Sequence, residues 1–176
     1  MTELIQAPGD ANPPVRRRVV EWADPSIAAT SVAGRAGVDF LRAIADGEIP
    51  PPPVAALLGM RLTDVEPGRV VFELEVGEHL YNPIGSVHGG IISTVLDSAM
   101  GCAVHSNLER GQGYTTLELK VNFDRAVTIA VAVVRAEAEI VTSGRRVATA
   151  VGRLVGPDGT LYAHASTTCL VFEAGR

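Results

Sequence analysis

The chain reads as an α+β fold in which an antiparallel β-sheet wraps around one long central helix. Three observations predict it. The run from roughly Gly89 to Val104 is apolar nearly all round, as in a helix buried on every side. Segments of period two stand on both sides of that run. Four strand-like segments follow it in succession, joined by short turns, which favours antiparallel neighbours. A sheet curved around the helix buries both elements at once.

The composition agrees and excludes several function classes. With 176 residues, 47% of them apolar, the chain suffices for one domain with a real core. A net charge of -5 gives nucleic acid no electrostatic recruitment. Cys102 and Cys169 are far apart and have no metal-type spacing, so reduced thiols and a cytoplasmic location are expected. No stretch reaches 18 unbroken apolar residues, and none is expected to span a membrane. Residues 1–20 lack the apolar segment of a signal peptide, so none is expected. His79, His105 and His164 lack ligand spacing. Surface or interface roles are expected for them, and no metal or cofactor.

The elements follow in order. Residues 1–36 are rich in Ala, Pro, Gly and charge, and are expected to form a weakly structured extension. Residues 37–53 hold a helix and a Pro-rich linker. Val38, Leu41 and Ala45 recur at helical spacing, and "PPPP" at 50–53 forbids both helix interior and central strand. Residues 54–176 are the main domain. Val54 to Met60 fits a short helix broken at Gly59. In "RVVFELEV" (69–76), Val70, Phe72, Leu74 and Val76 alternate with Glu73 and Glu75, a half-buried strand. In "TLELKVNF" (116–123), Leu117, Leu119, Val121 and Phe123 share one face. Thr116, Glu118, Lys120 and Asn122 share the other. Strands are expected from Ile129 to Val141, where a long Ala and Val run obscures the parity, from Arg146 to Val155 and from Leu161 to Phe172, with "GPDGT" (156–160) as a hairpin turn.

The stretch "NPIGSVHGG" (82–90) leads into the apolar helix, and one acid, Asp97, stands inside that helix. Asn82, Gly85, His88, Gly89, Gly90 and Asp97 together resemble hotdog-fold acyl-CoA thioesterases. The type is that of phenylacetate degradation, within the 4-hydroxybenzoyl-CoA thioesterase superfamily. "TLELKVNFDRA" (116–126) resembles the family strand that ends in an aromatic residue and Arg-Pro, with Ala126 in place of the proline. The resemblance covers roughly Val54 to Phe172. It implies a hotdog fold, an acyl-CoA substrate, thioester hydrolysis, and a two-fold dimer with shared sites. A dimer of dimers is a further expectation.

The residues bear on that chemistry one by one. A helix start presents unpaired N–H groups where negative charge develops, and Gly89 lets a carbonyl approach the backbone closely. The resemblance assigns Gly89 the polarising N–H and Asp97 the role of base or nucleophile. Asp97 lies eight residues on, roughly 12 Å along the axis. One carbonyl cannot touch both within one subunit, so a shared substrate requires a second, antiparallel helix. Asp97 also admits a structural reading, satisfied by Ser93 or Thr94. His88 either orients the loop or carries a proton. Asn82 is either an Asx-turn residue before Pro83 or, as the resemblance implies, orients water or the acyl group. Thr116, Gly90 and Tyr81 are candidate substrate contacts. Thr116 reads equally as an exposed strand residue, and Tyr81 as packing. Cys102 reads as a small core residue. The rival function is a hotdog module that binds or senses acyl-CoA without turnover. A hydratase of the same fold is disfavoured, because "DSAMGC" from Asp97 lacks the His expected five residues on.

Overall fold

The computed structural model describes residues 3–5 and 15–173. The expectation of weak structure over 1–36 therefore falls partly outside the described residues. In chain order, β1 (Glu3–Ile5) pairs with β2 (Val15–Arg17), and helices α1 (Pro25–Val32), α2 (Gly37–Ala45) and α3 (Pro53–Leu58) follow. Strands β3 (Met60–Glu66) and β4 (Arg69–Glu75) precede the long helix α4 (Gly89–His105). Strands β5 (Gln112–Phe123), β6 (Val133–Ser143), β7 (Val147–Val155) and β8 (Leu161–Glu173) complete the order.

Strands β3 to β8 form one sheet in the order β3-β4-β6-β7-β8-β5, with every neighbouring pair antiparallel. The four strands after α4 stand in the expected order, but β6 starts at Val133 and not at Ile129, because Ile129–Val131 form a 3-10 turn. Helix α4 touches β4, β5, β6, β7 and β8. Five strands at about 4.8 Å spacing are wider than a helix of roughly 10 Å diameter, so they reach it only by curling around it.

The inner face of the sheet explains the long Ala and Val run that obscured its parity in the sequence. Ala136, Ala138, Ala148, Ala150, Ala163 and Ala165 are buried there. They share one core with Val95, Leu96, Ala99, Met100, Ala103 and Val104 of α4. A Cβ built on Gly152 would sit 3.0 Å from Met100 Cγ. The strands carry small residues because the helix already fills the space.

The elements before β4 show three differences from the sequence reading. Strand β3 was not expected. Its register against β4 shifts between Leu62 and Asp64, which breaks the alternation a period-two reading needs. Residues 25–32, read as part of a weakly structured arm, form α1. Asp24 caps it by accepting from Ser26 N at 2.9 Å, and Pro25 fixes the first turn. No residue of α1 is buried, so no apolar face announced it. Finally, α2, read as lying outside the main domain, joins its core through Leu41, together with Ala55 and Leu58 of α3. Gly59 ends α3 in the left-handed region at φ 78°, where a side chain would be strained. The arm is tied to α3 by Arg18, which donates to Leu57 O at 2.6 Å, and to the loop after β4 by an Arg16–Glu78 ion pair. Val19 and Trp22 remain exposed. No helix among the described residues is long and apolar enough to cross a membrane.

Candidate active site

The loop 78–88 delivers the chain to the start of α4, and the hydrogen bonds show how. His88 N donates to Leu80 O at 2.8 Å, and Asn82 N to Ser86 O at 2.8 Å. Asn82 Oδ1 accepts from Ile84 N (3.0 Å) and Ser86 N (3.2 Å), while its Nδ2 donates to Ser86 Oγ (3.1 Å). Asn82 is thus the knot of the turn, and Gly85 at φ 86° supplies the left-handed residue that the turn requires. Tyr81 is bridged to Val87, and its hydroxyl accepts from Ile129 N at 2.7 Å.

His88 is the N-cap of α4. Its Nδ1 accepts from Gly90 N at 2.9 Å, which in the neutral ring places the proton on Nε2. The Gly90 N–H is therefore already engaged. The Gly89 N–H has no partner among the described residues. It stands at the positive end of a 17-residue helix. The ring of Phe123 covers Gly89, and a Cβ there would lie 3.2 Å from Phe123 Cζ. Asn82, Ser86, Gly89, Phe123, Asp124 and Arg125 line a cleft of about 290 Å³ at this point. The sequence reading gave no role to Ser86, Phe123 or Arg125, although the last two belong to the strand end it singled out.

Asp97 lies elsewhere. It is half-buried on α4 and is absent from that cleft. Its carboxylate is not satisfied from its own helix. Ser93 Oγ donates to Gly89 O and Thr94 Oγ1 to Gly90 O, both at 2.9 Å. The partner of Asp97 is Thr116, whose Oγ1 donates to Oδ1 at 3.0 Å. This corrects the expected orientation of Thr116. Thr116 pairs with Cys169 and Glu118 with Thr168, so Leu117 is an extra residue in β5. That bulge inverts the alternation. Tyr114 packs on the core and Thr116 turns toward α4 before the bulge, and Leu119 and Val121 pack inward after it. Leu117, expected on the inner face, is 59% exposed. Bulges re-aim side chains in this way. Thr167 Oγ1 holds the bulge by donating to Glu118 O at 2.8 Å.

The remaining titratable groups divide clearly. Burial, with the charge of Asp97, pushes the Cys102 thiol up to about 12, so it stays protonated at neutral pH and is no nucleophile. His105 is not at the surface as expected. It is 8% exposed, lies between the rings of Phe40 and Tyr114, and its Nε2 has no partner among the described residues. Burial holds its pKa below the ordinary value. His164 is exposed and meets Asp124 at 2.9 Å. No group of three potential metal ligands occurs among the described residues.

Within one chain the structure brings together Asn82, His88, Gly89 and Gly90, with Tyr81 beside them, and separately Asp97 with Thr116. Strand β5 is the last strand of its sheet, and its outer edge has no partner among the described residues.

Comparison with known proteins places this architecture. The model of the family described as the thioesterase superfamily matches residues 84–163. A thioesterase family protein from Silicibacter pomeroyi is 32% identical, with a TM-score of 0.67; the match covers 76% of this chain and 96% of that one. A phenylacetic acid degradation-related protein from Ralstonia eutropha JMP134 is also 32% identical, with a TM-score of 0.67, over 74% of this chain and 98% of that one. The 1,4-dihydroxy-2-naphthoyl-CoA hydrolase of Listeria monocytogenes serotype 1/2a (strain 10403S) is 29% identical over 65 residues, 37% of this chain. The chain spans about half the length of that curated relative, 53%. With a helix wrapped by an antiparallel sheet and two matches at 32% identity that cover nearly all of those chains, the chain belongs to the thioesterase superfamily of hotdog proteins.

Proposed function

We propose that the protein is an acyl-CoA thioesterase working as a homodimer, with each site shared between two protomers. The observation that carries this is the unpartnered Gly89 N–H at the head of α4, facing a cleft. The thioester carbonyl oxygen accepts from that N–H, and one such donor is worth about 3 kcal/mol as negative charge develops. Asp97 of the partner subunit either deprotonates a water that attacks the carbonyl carbon or attacks it directly. Collapse of the tetrahedral species expels the CoA thiolate; water attack leaves the free acid at once, whereas attack by Asp97 leaves a mixed anhydride that a water then hydrolyses to the free acid and the restored carboxylate.

Two further features support the shared site. Gly89 and Asp97 sit about two turns apart on one helix, and an antiparallel pair of α4 helices opposes one residue to the other. The open edge of β5 offers twelve residues of backbone for pairing with a second copy. Thr116 on that strand orients Asp97. Asn82 and His88 build the loop and cap that hold the Gly89 N–H in place, and Tyr81 braces them. Gly90 keeps the helix start open beside the substrate. A dimer of dimers is a further step of the same proposal.

The test is a panel of short, medium, long and aryl acyl-CoA compounds with a thiol-trapping dye. Release of CoA at rates proportional to enzyme supports the reading. Tight binding of the panel without release of CoA indicates an acyl-CoA-binding module instead.

A further inference from the structure

Ser86 is half-buried in the wall of the cleft that holds Gly89. The turn around Asn82 decides where its hydroxyl proton can go. Asn82 Oδ1 accepts from Ile84 N at 3.0 Å and from Ser86 N at 3.2 Å. An atom that receives two backbone N–H groups is the amide oxygen, so the other terminal atom is the nitrogen. Asn82 Nδ2 therefore donates to Ser86 Oγ at 3.1 Å. A hydroxyl that accepts in this way keeps its own O–H for a different partner. Among the described residues that O–H meets no acceptor.

The Gly89 N–H, in the same wall, is also without a partner among the described residues. The two donors stand on a segment held at both intervening residues. Val87 is buried and its N donates to Val127 O at 2.9 Å, while His88 N donates to Leu80 O at 2.8 Å. The charged residues of the cleft are turned to other tasks. Arg125 Nη1 donates to Leu161 O at 3.0 Å, and Asp124 Oδ2 meets His164 Nδ1 at 2.9 Å. The wall thus presents a backbone N–H and a hydroxyl, both fixed and both lacking an acceptor. Donors fixed beforehand need no reorganisation when charge develops beside them.

We infer that Ser86 is a further catalytic residue, whose O–H is the second donor to the thioester oxygen beside the Gly89 N–H, and that Asn82 is the positioning residue that turns it there. The inference rests on the thioesterase reading for the group that occupies the cleft. Both donors hold one oxygen as it gains negative charge. No bond to Ser86 forms or breaks, and its proton stays on Oγ throughout. A nucleophilic serine would need a base. Ser86 Oγ meets an amide, which is no base, and the carboxylate of the cleft faces His164. Removing one such donor from an acyl-transfer site lowers kcat by about a hundredfold to a thousandfold.

The test takes the full chain and the acyl-CoA it hydrolyses fastest. Ser86→Ala should lower kcat about a hundredfold and change KM by less than about threefold. Ser86→Thr keeps the hydroxyl and should stay within about fivefold of the parent. Ser86→Cys offers only a weak S–H donor, should be as slow as Ala, and replaces it if Ala does not fold. A second measurement needs no turnover. It is the infrared carbonyl band of a bound ketone analogue of acetyl-CoA, with CH2 in place of the thioester sulfur. Each donor weakens the C=O bond, so the band should lie at lower wavenumber in the parent than in Ser86→Ala or Ser86→Cys. Parent-like kcat in folded Ser86→Ala leaves any second donation to Asn82 Nδ2 and overturns the inference. So does a Thr variant as slow as Ala, or a carbonyl band that does not depend on Ser86. A Ser86-dependent band without CoA release from any acyl-CoA sinks the hydrolase reading and upholds the donor. Turnover indifferent to Ser86 does the reverse.

Discussion

Replacing Thr116 by Val removes one hydroxyl and little else, and it isolates the contact that the β5 bulge creates. Thr116 Oγ1 is the partner of Asp97 Oδ1, at 3.0 Å, in a half-buried setting. A hydrogen bond to a charged group contributes about 1.5–3 kcal/mol. Partial exposure lets water replace some of it, which argues for the low end. About 1.5 kcal/mol lost from the positioning of the carboxylate corresponds to roughly tenfold in rate. The effect should fall on kcat and leave KM little changed, because Thr116 touches the carboxylate and not the thioester. Thr116→Ser keeps the hydroxyl and should recover most of the rate. Both variants should melt near the parent, since β5 is an edge strand and Val suits strands. The assay is CoA release with a thiol-trapping dye over a range of substrate concentrations. A Val variant with the parent kcat, or a Ser variant as slow as Val, would refute the positioning role.

Four further outcomes are expected. Asp97→Asn should lower kcat by at least about a hundredfold while the far-UV circular dichroism stays unchanged; parent-like turnover removes Asp97 from the mechanism. Mixing inactive Asp97→Ala with inactive Asn82→Ala protomers should restore partial activity, because a hybrid dimer holds one site with neither defect. No recovery, with exchange confirmed by mass spectrometry, places the whole site in one chain. For His105, burial lowers the folded pKa below the unfolded value of about 6.5. Its contribution is therefore complete above that pH and declines as pH falls through 6.5 toward the folded value. Denaturant unfolding should show this slope, and His105→Phe should flatten it; an unchanged slope assigns it to other groups. Deletion of residues 1–36 should leave a folded chain with acetyl-CoA turnover within about threefold of the parent, since α1 buries no residue; an insoluble product would show the arm to be part of the core.

The parts of this fold that were legible in the sequence are those written in one chain segment at a time. Helix α4 announced itself by uniform apolarity, and its head by the Asn82–Gly90 turn chemistry. Strands β4, β6, β7 and β8 were legible from alternation or from β-rich composition between turns. What stayed hidden depends on a neighbour. The bulge at Leu117 is a mismatch between β5 and β8, so the sequence of β5 alone points Thr116 the wrong way. The shift between Leu62 and Asp64 is a mismatch between β3 and β4, and it concealed a whole strand. His105 closes a helix whose end looks exposed until α2 folds Phe40 over it. At the site, the residue types were legible but their uses were not. The resemblance singles out Gly89 for the polarising N–H, but the engagement of the Gly90 N–H by the His88 cap is visible only in the structure.

The alanine-lined inner face of the sheet has a consequence for how this fold can be retuned. Gly152 lies under Met100, where a Cβ would come within 3.0 Å of the Met100 side chain, and buried alanines surround it against α4. Enlarging a side chain on either surface pushes the helix and the whole sheet apart, at a typical cost of about 1–3 kcal/mol per intrusion. The wrapped interior is thus a fixed bearing for α4. Change is more readily absorbed by the helices packed outside it, which can move without displacing the axis that carries Gly89 and Asp97.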